Sequence, residues 1–154
     1  MADELPEGCG KETERALARL FLVRADEFLP SAELARIGHP GSVCHGIAIA
    51  AELALKAYLL SQGWSDDRCR RELRHDIERA MKSAQECGLP VRSKELTEAL
   101  AVLNVYYPRH AFDRFVAPAG DAGFPERARA RVAGLTRKVR PVVDAVSIGA
   151  PLPD

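Results

Sequence analysis

Several things are scarce in this sequence, and each absence narrows its reading. No unbroken apolar run is longer than Ile47–Ala51, far below the roughly 18–20 residues that a membrane-crossing helix needs. No CxxC pair occurs among Cys9, Cys44, Cys69 and Cys87, so zinc-ribbon and thioredoxin-type spacings are absent and reduced, structural thiols are expected. Gly-rich phosphate loops, GxSxG elbows and HExxH helices are missing. No stretch alternates apolar and polar residues over a strand's length between hairpin turns. Net charge is zero, from 22 Lys+Arg against 22 Asp+Glu. The acidic start at Asp3-Glu4-Leu5 has neither the basic nor the apolar segment of a secretion signal, and a cytoplasmic protein is expected.

What remains is helical punctuation. Of the 154 residues, 47% are hydrophobic, enough for one domain burying roughly 70% of the surface its unfolded chain exposes. The pattern implies an all-α, up-and-down bundle of four or five helices over 12–147, behind a disordered leader (1–11) and before a flexible tail (148–154). Thr13 reads as the N-cap of the first helix and Pro30 as its stop. Ser31 opens a short turn over Ala32–Ile37. Ser42 reads as the cap of a helix over Val43–Gln62 that is apolar nearly all round, the mark of a central element. A third helix is expected over Arg74–Cys87, stopped by Gly88-Leu89-Pro90. Ser93 caps a fourth that exits at Tyr106-Tyr107-Pro108. A last helix runs from Phe124 to Val146, with Pro141 inside it and a basic excess from Arg127 to Arg140.

Three polar constellations stand out. His45, Glu52 and Lys56 fall within about 40° of one another on the most apolar helix. A charged line there is either a satisfied ion pair or one wall of a pocket. The second runs from Arg70 to Asp76 and holds His75. A His near an Arg suits phosphodiester cleavage, and equally suits helix capping and packing. In the third, Tyr106-Tyr107-Pro108-Arg109-His110, aromatics beside arginines can stack bases and bind phosphate. No recognised metal-ligand spacing links these residues, and no cofactor is expected.

Ala50-Ala51-Glu52-Leu53-Ala54-Leu55-Lys56-Ala57-Tyr58-Leu59-Leu60-Ser61-Gln62-Gly63, followed by His75-Asp76-Ile77 and the Tyr106-Tyr107-Pro108 exit, resembles the HEPN domain pattern. The resemblance implies a helical bundle, commonly dimeric. Many such domains are metal-independent ribonucleases of toxin or defence systems that use Arg-x4–6-His. Others are accessory or binding modules beside a nucleotidyltransferase-type partner. Arg70 and His75 satisfy the Arg-x4-His spacing, and Arg68 and His75 the x6 spacing. They precede the third helix, however, whereas the family's motif usually sits on a late one, and Arg71 follows Arg70 where Asn, Asp or His is common.

The reading is therefore a non-catalytic, homodimeric accessory module. Its expected binding residues are Glu52, Lys56, Asp76, Tyr107 and Arg109, and its ligand class is nucleotide, RNA or a nucleotidyltransferase-type protein. The alternatives are a ribonuclease with Arg70 and His75 as catalytic pair, or a helical bundle of unrelated role.

Overall fold

A computed structural model describes residues 7–147, with side chains over 13–146. The expected tail and the first part of the expected leader lie outside the described residues. Within them the chain forms seven α-helices and no strand: α1 (Glu7–Phe28), α2 (Ala32–Ile37), α3 (Pro40–Ser61), α4 (Asp66–Glu72), α5 (Ile77–Glu86), α6 (Lys94–Tyr106) and α7 (Phe124–Ser147). Five of these are long, as the bundle reading requires. Two short 3-10 turns, Tyr107–Arg109 and Phe112–Arg114, join α6 to the loop before α7.

Helix α3 is the axis. α1, α5, α6 and α7 pack on it, and α1 and α7 also touch each other. It is long and apolar enough to cross a membrane, but most of it is buried by its neighbours. Ala48, Ala50, Ala51, Ala54 and Ala57 are all fully buried. Such small residues let surrounding backbones approach, while Ile47, Leu55 and Leu59 fill the space between. Each buried Leu or Ile contributes roughly 1.5–3 kcal/mol relative to leaving it exposed. The neighbours present matching stripes: Ala18, Leu22 and Ala25 on α1, Ile77, Ala80, Met81 and Ala84 on α5, and Val132, Leu135, Val139 and Val143 on α7.

Three helix starts are capped by serine, two of them, Ser31 and Ser93, where the sequence places a cap. Ser31, Ser65 and Ser93 each accept the backbone N–H three residues on, satisfying one of the orphan donors of a first turn. Gly63 and Gly88 take positive φ just beyond the ends of α3 and α5, which only glycine does without strain. Three starts differ from expectation. α1 is already helical from Glu7, so Thr13 lies inside it and residues 7–11 are not an irregular leader. α3 begins at Pro40, not after Ser42: proline suits the first position of a helix, and His39 caps it by accepting from the Ser42 N–H through Nδ1 at 3.3 Å. α5 begins at Ile77 instead of Arg74, because Arg74 has φ of 50° and Asp76 is the cap. Pro141 lies within α7 without ending it.

Half of the six basic residues between Arg127 and Arg140 are tied down within the chain. Arg127 pairs with Asp121, Arg140 with Asp26, and Arg129 donates to the Pro30 carbonyl.

Cys44 and Cys69 are fully buried, and burial pushes their thiols up to about 12 and about 11. The thiolate is the reactive form, so neither should be alkylated in the native protein at pH 8. Among the three cysteines with described side chains, iodoacetamide labelling read by mass spectrometry should modify half-buried Cys87 first, and Cys44 and Cys69 only at the rate of global opening. Native-state labelling of Cys44 at the rate of a free thiol would show that α3 is not the closed axis described here.

Candidate functional site

The polar line of α3 proves to be the base of a buried network. Glu52 and Lys56, one turn apart, are each 7% exposed. Lys56 Nζ donates to Glu52 Oε2 and, at 2.7 Å, to the Arg74 carbonyl. The Tyr107 hydroxyl donates to Glu52 Oε1. His75 Nδ1 lies 3.1 Å from Oε1 and 3.2 Å from Oε2. One carboxylate thus gathers an ammonium, a phenol and an imidazole, from α3, the turn after α6 and the α4–α5 connection. That degree of satisfaction is what makes a buried charge tolerable. No buried side-chain nitrogen or oxygen among the described residues lacks a partner. Burial, first, and then the Glu52 charge and hydrogen bond push the Tyr107 hydroxyl well above its ordinary value. Tyr107 therefore stays a neutral donor.

The adjacent His and Asp divide the work. Asp76 Oδ1 caps α5 by accepting the Arg79 N–H at 3.0 Å. Asn104 of α6 braces that cap: its Nδ2 donates to Asp76 Oδ1, and its Oδ1 accepts the Ile77 N–H, both at 3.0 Å. With the start of α5 fixed in this way, His75 is presented to Glu52. Arg74 turns the chain through left-handed backbone, and its carbonyl meets Lys56. Only one other non-glycine residue among those described has positive φ, His110 at 52°. Its ring lies 5.9 Å from that of His75. Both left-handed residues therefore border the same network. Such conformations persist where the surroundings over-determine them, and they cluster at working sites.

Above the network sits a rim of exposed imidazoles, His45, His75 and His110, bordering the buried rings of Tyr107 and Phe112. His75 meets Tyr107 edge-on at 5.4 Å. His45 stacks on Phe112 at 5.3 Å and 21° and approaches Tyr107 at 6.1 Å. The His75 side chain is 50% exposed, and with Nδ1 facing Glu52 its Nε2 edge is left for solvent or ligand. Arg109 is exposed beside His110 on the same turn and makes no ion pair among the described residues.

Of the residues singled out from sequence, Glu52, Lys56, His75 and Tyr107 come together, Asp76 serves as a cap next to them, and Arg109 stands at the rim. Arg70 does not join. It lies on α4 with a 70% exposed side chain, paired with Asp66 at 3.4 Å. Arg68 pairs with Glu72 and lies over the Trp64 ring at 3.6 Å. Sequence reasoning missed Asn104 as a brace and the Arg74 carbonyl as an acceptor. The only hint of the first is a lone Asn between Leu103 and Val105. Nothing in a side-chain pattern signals the second.

An all-α bundle whose central helix carries a Glu–Lys pair closed over by a His-Asp turn and a Tyr-Pro exit defines a recognisable class of helical domain. The chain belongs to the HEPN domain family, whose model matches residues 18–132. The match runs from within α1 into α7 and contains every residue of the network. No curated protein and no solved structure matches the chain.

Proposed function

We propose that this protein is a non-catalytic HEPN binding module, working as a homodimer, that takes a nucleotide-type ligand at the rim formed by His45, His75, Arg109 and His110. The observation carrying this reading is the disposition of His75. Its Nδ1 is held by a buried carboxylate and its outer edge is open, while Arg70, the residue a cleavage motif would need beside it, is engaged by Asp66. Exposed imidazole rings can stack a base and hold a phosphate, and Arg109, without an ion pair among the described residues, adds the positive charge that phosphate contacts use.

A ribonuclease is the second reading, and one observation favours it. A carboxylate that orients a histidine through Nδ1 and leaves Nε2 outward is also the arrangement of a general base. Two assays separate the readings. Purified wild-type protein is expected to leave single-stranded RNA uncut above background, with or without EDTA. It is expected to bind a nucleoside triphosphate or a short oligonucleotide by calorimetry, with Arg109→Ala weakening binding roughly tenfold. EDTA-resistant cleavage that His75→Ala lowers by ~100-fold or more, the usual contribution of a general acid or base, would put the ribonuclease first. Absence of both binding and cleavage would leave neither reading standing.

A further inference from the structure

Three of the chain's four histidines gather at one place. The rings of His45 and His75 flank that of Tyr107 at 6.1 and 5.4 Å, and the His110 ring lies 5.9 Å from that of His75. They arrive from α3, from the α4–α5 connection and from the end of the first 3-10 turn. His75 and His110 have two further properties. The Glu52 carboxylate, ion-paired with Lys56, only accepts hydrogen bonds. The His75 nitrogen that faces it, Nδ1, therefore carries the ring proton. Nε2 keeps its lone pair, on a side chain half open to solvent. His110 is exposed, and no hydrogen bond or ion pair holds its ring among the described residues. Its backbone is nevertheless kept left-handed, at φ of 52°, a conformation that other residue types than glycine hold mainly where the position has work to do.

We propose that His75 and His110 together bind a divalent transition-metal cation of the zinc class, with Glu52 as the positioning residue that orients His75. A histidine that ligates a metal characteristically donates its other ring N–H to a carboxylate, which fixes the tautomer and raises the basicity of the ligating nitrogen. His75 already stands in that arrangement. Two imidazoles on one Zn2+, with Zn–N of about 2.0–2.1 Å, have ring centres about 5–6 Å apart, and His75 and His110 stand at 5.9 Å. Imidazole selects Zn2+, Ni2+ or Cu2+ over Mg2+ and Ca2+, which take oxygen ligands. Among the described residues no third His, Cys, Asp or Glu completes the set, so the remaining positions go to water or to oxygens of a ligand. With two protein ligands, and Arg109 next in the chain to His110, the site is of micromolar strength, weaker than a closed structural zinc site. The inference deepens the ligand reading above and rests on the same rim, where phosphate oxygens would take the open positions. Zinc alone is the probe, so failure of metal binding and failure of nucleotide binding are separate results.

Calorimetry of the full chain, without a histidine tag and cleared of metal, with zinc chloride alone tests this. One ion per chain is expected, with a micromolar Kd undisturbed by excess Mg2+. His110→Asn, which keeps a residue suited to left-handed backbone, should weaken binding at least tenfold, and so should His75→Gln. Glu52→Gln should weaken it by about 10–100-fold, the usual effect of losing the outer partner of a ligating histidine. His39→Asn, which keeps the cap of α3, should leave the affinity unchanged. Glu52→Gln also disturbs the buried network, so a second readout uses chains that keep Glu52. Electron paramagnetic resonance of the Cu2+-loaded wild type should show coupling to two imidazole nitrogens, and that of His110→Asn to one. A wild type that takes up no zinc at about 100 μM, an affinity indifferent to His110→Asn, an affinity lost with His39→Asn, or coupling to a single nitrogen in the wild type would each overturn the proposal.

Discussion

Lys56→Met should destabilise the protein by about 3–5 kcal/mol, the cost of leaving one member of a buried ion pair without the other. The two side chains are similar in length, so packing is nearly conserved and the loss is electrostatic. Glu52 keeps Tyr107 and His75 as partners, but the only fixed positive charge hydrogen-bonded to it among the described residues is gone. The Arg74 carbonyl loses its donor at the same moment, on a residue already held at positive φ. For a domain of this size the melting temperature should fall by about 10 °C or more. A fall of only a degree or two would show that the pair is solvated and that the network is not the base of the site. Met at both positions should recover only part of the loss. An apolar replacement of a whole pair is often neutral, but here the Tyr107 hydroxyl and the Arg74 carbonyl would still be left without partners.

The sequence conveyed the helices better than the site, and the reason is range. A Ser cap or a Gly stop acts over three or four residues, so Ser31, Ser93 and Gly88 place their boundaries directly. The starts that it misplaced depend on less common local chemistry. His39 substitutes a ring nitrogen for a hydroxyl as cap. Asp76 caps α5 only because Arg74 first turns the backbone through the left-handed region. Glu52 and Lys56 share one helix, so their alignment is visible as periodicity. His75 is 23 residues from Glu52, and Tyr107 is 55. Packing of α5 and α6 onto α3 brings them in, and no spacing rule encodes that. The Arg-x4-His motif shows the converse. Arg70 and His75 are close in sequence, yet α4 ends between them at Glu72, and the i,i+4 pairing of Arg70 with Asp66 holds the guanidinium on its own helix.

Gly41→Ala should destabilise the protein and loosen the rim together. Gly41 lies in the first turn of α3, buried beneath the 3-10 turn that carries Phe112. A methyl group built there would stand 2.3 Å from the Phe112 carbonyl oxygen. That atom is backbone and cannot swing aside, so the Phe112–Arg114 turn must move. Overpacking of this kind costs about 1–3 kcal/mol, partly offset by alanine's helix preference over glycine, at most about 1 kcal/mol. A net loss of about 1–2 kcal/mol is therefore expected. Because His45 stacks on Phe112, ligand binding at the rim should weaken in the same variant. Gly134→Ala in α7 is the matched control: its new methyl would meet only the Arg137 Nη2 end at 3.6 Å. There the helix preference acts unopposed, and stability should rise by up to about 1 kcal/mol. Thermal melts of the two variants should thus shift in opposite directions. A Gly41→Ala protein that melts with or above the wild type would mean that α3 does not approach the Phe112 turn this closely, and the aromatic rim would lose its fixed support.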